Sequence, residues 1–77
     1  MSNKTYATLK ITETNYTIMS PTGRILLTGW KELNGYIYED AGIFNEIIKE
    51  GWHVEFQKSC DYAFSRIYVV SREEAAM

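Results

Sequence analysis

Residues 41–56, Ala41-Gly42-Ile43-Phe44-Asn45-Glu46-Ile47-Ile48-Lys49-Glu50-Gly51-Trp52-His53-Val54-Glu55-Phe56, change period part-way and so decide the fold. Up to Glu50 the apolar residues recur at helical spacing. Ile43, Phe44, Ile47 and Ile48 share one stripe, while Asn45, Glu46 and Lys49 face away. Asp40 offers an N-cap side chain, and Gly51 stands where a helix ends on a left-handed residue. From Trp52 the period drops to two: Trp52, Val54 and Phe56 alternate with His53, Glu55 and Gln57. The spacing predicts one helix, Ala41 to Glu50, followed at once by a strand. A helix of ~10 residues is marginal alone in water, so its stripe must pack on a sheet.

The sheet is legible on both sides of this stretch. Toward the N-terminus, Thr5 to Thr12 alternates, with Ala7, Leu9 and Ile11 on one side and Tyr6, Thr8 and Lys10 on the other. A two-residue turn at Thr14-Asn15 would pair Ile11 with Ile18, and Tyr16 to Ser20 returns as a second strand. Pro21-Thr22-Gly23 is a stronger turn signal, because proline presets φ and glycine accepts the left-handed position after it. A three-residue loop there pairs Ser20 with Arg24, Ile18 with Leu26 and Tyr16 with Thr28. Residues 29–35, with Trp30 among them, read as a loop between glycines, and Gly35 to Tyr38 as a short extended piece. Toward the C-terminus, Tyr62 to Ser71 reads as the last strand. Closing that hairpin at Cys60-Asp61 pairs Glu55 with Arg66, His53 with Tyr68, Trp52 with Val69 and Val54 with Ile67. Residues 72–77 carry no core pattern and read as a frayed tail.

The expected architecture is a single α+β domain over residues 1–77. It has one antiparallel sheet of about five strands in the order β-β-β-α-β-β, with the helix packed on one face. The expected core is Leu9, Ile11, Ile18, Leu26, Ile43, Phe44, Ile47, Ile48, Trp52, Val54, Phe56, Ile67 and Val69. The same registers put Tyr6, Met19, Ile25, Leu27, Phe64 and Tyr68 on the second face, which one helix cannot cover. Those residues need a shield or form a contact surface.

Composition narrows the function. The chain has 77 residues, 45% of them apolar and 23% charged, which suits one folded domain and leaves no room for a doubly wound or barrel enzyme. A lone Cys60 excludes a disulfide framework, and a single His53 with Cys60 is too few soft ligands for a metal cluster. The five glycines are scattered and form no phosphate loop. No apolar run reaches the ~20 residues that cross a bilayer, and Met1 to Thr5 lacks a secretory h-region, so a cytoplasmic protein without membrane contact is expected. The reading assigns no catalytic residues, no cofactor and no metal.

Eleven aromatics in 77 residues favour an interface, since Tyr, Trp and Phe are enriched there. The expectation is a small non-enzymatic module that binds a protein partner stoichiometrically and inhibits or regulates it. Trp30, Tyr36, Tyr38, Glu39 and Asp40 are the expected contact residues, and a homodimer through the second sheet face is a further option. In size, charge and organisation the chain is similar to small inhibitor proteins that bacteriophages and mobile elements direct against host systems. The alternative is single-stranded nucleic acid on a tyrosine-rich sheet face. Charge weighs against it, because the net charge is −2 and only the first 30 residues, with Lys4, Lys10 and Arg24 against Glu13, are basic.

Overall fold

A computed structural model describes residues 3–33, 36–37, 39–61 and 65–74. Strands β1 (Asn3–Ile11), β2 (Asn15–Met19) and β3 (Ile25–Trp30) form a meander, and β4 (Glu32–Leu33) pairs with β5 (Tyr36–Ile37) as a separate ribbon. Helix α1 (Asp40–Ile48) leads to β6 (His53–Asp61) and β7 (Ser65–Glu74). The main sheet is antiparallel throughout, in the order β3-β2-β1-β7-β6. The expected α+β architecture is therefore present, with one helix on a five-stranded sheet. Its first and last strands are central neighbours: Asn3 to Ile11 runs against Arg66 to Glu74 without a break. β7 thus continues into residues the sequence reading gave to a tail, because Arg72 and Glu73 find partners in Thr5 and Lys4.

Local chemistry explains the turns. Thr12 N–H donates to the Asn15 carbonyl at 2.8 Å, and Asn15 N–H donates to Thr12 Oγ1 at 3.1 Å. The tight turn is therefore Glu13-Thr14, one residue earlier than expected, and Leu9 rather than Ile11 pairs with Ile18. A two-residue slip keeps the same face inward, so the buried set survives it. In the next turn Gly23 has φ +88°, Ser20 N–H donates to the Arg24 carbonyl at 2.8 Å, and Ser20–Arg24 closes as expected. A β-bulge follows at once. Met19 pairs with Ile25 but Ile18 pairs with Leu27, so Leu27 packs on the core and Leu26 is 37% exposed. Gly29 lies opposite Tyr16, and a Cβ there would collide with the Tyr16 ring, so glycine is required for that ring to lie across the strand.

The core is one layer between sheet and helix. Ala7, Leu9, Ile11, Ile18, Ile43, Ile47, Trp52 and Val70 are buried, with Tyr16, Leu27, Phe44, Val54 and Tyr68 against them. Glu39, not Asp40, occupies the N-cap position, and its carbonyl accepts from Ile43 N–H at 3.0 Å. At the other end Gly51 has φ +89°; Trp52 N–H donates to the Ile47 carbonyl and Gly51 N–H to that of Ile48. These are the two bonds of a Schellman stop, and buried Trp52 and Ile47 supply its apolar pair. The Arg72 guanidinium lies 4.6 Å over the Trp52 ring.

The last hairpin corrects the sequence reading most. Asp61 pairs with Ser65, and bulges interrupt β6 between Val54 and Phe56 and between Gln57 and Ser59. The pairs are His53–Ser71, Val54–Val70, Phe56–Val69 and Gln57–Tyr68. Val70 is therefore the buried apolar residue of β7, while Ile67 and Val69 face the side away from the helix and Phe56 is exposed. Ile48, also expected inside, is exposed at the end of the helix.

Candidate interaction face

Of the expected contact residues, Trp30, Glu39 and Asp40 have described side chains. Asp40 opens the helix, but its carboxylate is taken. Arg66 Nε donates to Oδ2 at 2.6 Å, Arg66 Nη2 to Oδ1 at 2.7 Å, and the Tyr68 hydroxyl to Oδ2 at 2.9 Å. The Arg66 guanidinium holds the Asp40 carboxyl below its ordinary range, burial opposes that, and the Tyr68 hydroxyl helps it. Burial, and then the Asp40 carboxylate, push the Tyr68 phenol up. Phe44 meets Tyr68 edge-on at 5.0 Å, so this group ties the first turn of α1 to β7. Glu39 is exposed, with no side-chain cap bond. Tyr38 and the Tyr36 side chain lie outside the described residues. Trp30 is not in a loop: it is the last residue of β3, in register with Asn15.

That register places Trp30 on the sheet face away from the helix. Reading across β3-β2-β1-β7-β6, this face carries Thr28, Thr17, Lys10, Ile67 and Ser59 in one row. The next row holds Ile25, Met19, Thr8, Val69 and Phe56, and beyond it Tyr6 pairs with Ser71, which pairs with His53. Four large apolar side chains on this face are well exposed: Tyr6 at 52%, Phe56 at 59%, Ile25 at 62% and Trp30 at 68%. Tyr6, Met19 and Ile25 were expected there. Leu27 and Tyr68 turn to the helix side instead, and Phe64 lies outside the described residues. A cavity of about 460 Å³ opens on the face, lined by Tyr6, Thr8, Met19, Pro21, Lys58 and Val69 among others. A smaller one of about 160 Å³ lies beside Trp30, with Asn15, Thr28 and Gly29.

The charges of the face are sparse and uneven. Glu55 accepts from the Ser71 hydroxyl, which holds its carboxyl below the ordinary value, and lies 3.8 Å from Lys4 Nζ. Lys10 and Lys58 have no carboxylate within ion-pair distance among the described residues. Elsewhere Glu46 is paired with Lys49 at 2.7 Å, and Glu32, Glu39 and Glu50 are exposed. The described residues bring no three His, Cys, Asp or Glu together as a metal site requires. No helix among them is long and apolar enough to cross a membrane. No protein-family model, curated protein or solved structure matches this chain.

Sequence reasoning missed Phe56 and the Asp40–Arg66–Tyr68 group. Strict alternation put Phe56 inside, and only the bulge after Val54 turns it out. Arg66, Tyr68 and Val70 do alternate onto one face, so an arginine on the core side of a strand was the available signal that a carboxylate must meet it.

Proposed function

We propose that this chain is a non-enzymatic binding module that holds a macromolecular partner on the open face of its sheet. It inhibits or regulates that partner by occupancy, one chain per site. The observation that carries the reading is the convergence of Tyr6, Ile25, Phe56 and Trp30 on one face that no described element covers. Small monomers rarely leave so much apolar surface grouped, and interface anchors are drawn from these residue types. Asp40 leaves the contact set because its carboxylate already holds the helix to the sheet. Trp30 stays in it, as the end of the sheet face.

The test compares two variants in the same capture assay. Immobilised chain is mixed with lysate, with and without nuclease, and retained material is quantified per mole of chain. Tyr6→Ala with Phe56→Ala should lose retention while the circular-dichroism melt stays that of the wild type, since both rings are exposed. Glu39→Gln should retain as the wild type does. Loss with Glu39→Gln and retention by the sheet double variant would move the site to the start of the helix.

A further inference from the structure

We propose that the partner held on the open sheet face is single-stranded nucleic acid, with bases stacked on Tyr6 and Phe56 and phosphates met by Lys10 and Lys58. The inference rests on the reading of that face as the binding surface and names what fits it. Lys10 stands at its middle, on the central strand between Thr17 and Ile67. Any occupant must cover this ammonium. A second copy stacked row on row would bury Lys10 and Lys58 in rows that carry no described carboxylate, because Glu55 is engaged by Ser71 and Lys4 and Glu73 lies three rows from Lys10, opposite Lys4. An unpaired buried charge is strongly unfavourable, so the face selects an anionic occupant over itself.

The rings narrow the kind of anion. Tyr6 and Phe56 lie two strands and one row apart, roughly 12 Å by strand spacing and rise, too far to stack on each other. Each side chain is more than half exposed. The cavity of about 460 Å³ beside Tyr6 is lined by Thr8 and Lys58 together with the apolar Met19, Pro21 and Val69. Flat apolar platforms interleaved with lysines are the recurring means of holding a single strand, and they tolerate any base because every base has a π-face. A duplex hides those faces. The overall charge of −2 gives no long-range attraction, so contact here is short-ranged and the salt dependence is shallow.

Fluorescence anisotropy with a fluorescein-labelled 12-nucleotide deoxythymidine strand tests this directly. Two phosphate contacts give a log–log salt slope of about −1.4, so affinity should fall about 7-fold between 50 and 200 mM salt. Lys10→Gln should cut that fall to under about threefold. Tyr6→Ala and Phe56→Ala should each weaken binding about 5- to 150-fold, Tyr6→Phe should bind as the wild type, and Ile48→Ala, on the helix, should change nothing. A duplex of the same length should bind worse. Three outcomes overturn the proposal. Binding of a 12-residue polyglutamate peptide but not of the strand, lost in Tyr6→Ala, would assign the face to an acidic protein and leave the open-face reading intact. Strand binding insensitive to Tyr6 and Phe56 would place nucleic acid elsewhere on the chain. No binding of either probe, with sedimentation reporting a dimer that Phe56→Glu dissolves, would give the face to a second copy and end both readings.

Discussion

Asp40→Asn removes the charge that fastens the helix to the sheet while keeping the shape of the side chain. The wild-type carboxylate accepts three hydrogen bonds, two from Arg66 at 2.6 and 2.7 Å and one from Tyr68 at 2.9 Å. Bonds to a charged group contribute about 1.5–3 kcal/mol each when well enclosed. Here the two side chains remain 25% and 26% exposed, and an asparagine carbonyl can still accept from one donor, so the net loss should be about 2 kcal/mol. For a domain of this size that is a fall of roughly 8–16 °C in Tm. The pH dependence gives a second handle. The folded carboxyl lies below its ordinary 3.8, so its contribution is complete above about pH 4 and fades as pH falls below that toward the folded pKa. Melts followed by circular dichroism at pH 7, 5, 4 and 3 should show a constant gap between wild type and variant down to pH 5, closing below pH 4. A variant that melts with the wild type at pH 7, or a gap that persists undiminished at pH 3, would refute the assignment. Binding by the open face should not change, because Asp40 is on the other side of the sheet.

Three further substitutions test the fold. Leu27→Asp should destabilise by about 2 kcal/mol or more and Leu26→Asp by about 0.5 or less, read as urea midpoints; the reverse order would remove the bulge from β3. Gly51→Ala places a Cβ at φ +89° and should cost about 1 kcal/mol in the same assay, whereas an unchanged midpoint would contradict the left-handed helix stop. Ile47→Asp puts a carboxylate at a fully buried position and should leave the chain unfolded at 25 °C; a cooperative wild-type melt would displace the helix from the core.

What could be read from the sequence was what is decided within a few residues. Pro21 and Gly23 specify their turn by their own φ preferences, and Gly51 ends the helix for the same reason, so both were legible. Strand faces were legible wherever alternation is unbroken, as from Ala7 to Ile11. The bulges defeated alternation. One extra residue at Leu26 exchanges it with Leu27, and the break after Val54 turns Phe56 from core to surface. Nothing local marks either position, since a bulge is fixed by the partner strand. The Asp40 contact was out of reach for a related reason: Arg66 is 26 residues away, and a slipped register gave it to Glu55. The open face could be foreseen in outline through Tyr6, Met19 and Ile25, because they lie on β1, β2 and β3, which the first two turns join. Its aromatic far side depended on the last hairpin, where the bulges are.

The claim that matters most is that the sheet face opposite the helix is open in the free protein and covered in the complex. A water-soluble paramagnetic relaxation agent, added to isotope-labelled protein before and after saturation with the 12-nucleotide strand, reads this residue by residue. The side chains of Tyr6, Ile25 and Phe56 should be strongly broadened in the free protein at every concentration. Tyr6 and Phe56 should then be shielded by the strand, while Glu39 and Ile48 stay as exposed as before. Shielding of Tyr6 and Phe56 already in the free protein, or protection by the strand confined to the helix side, would contradict the account.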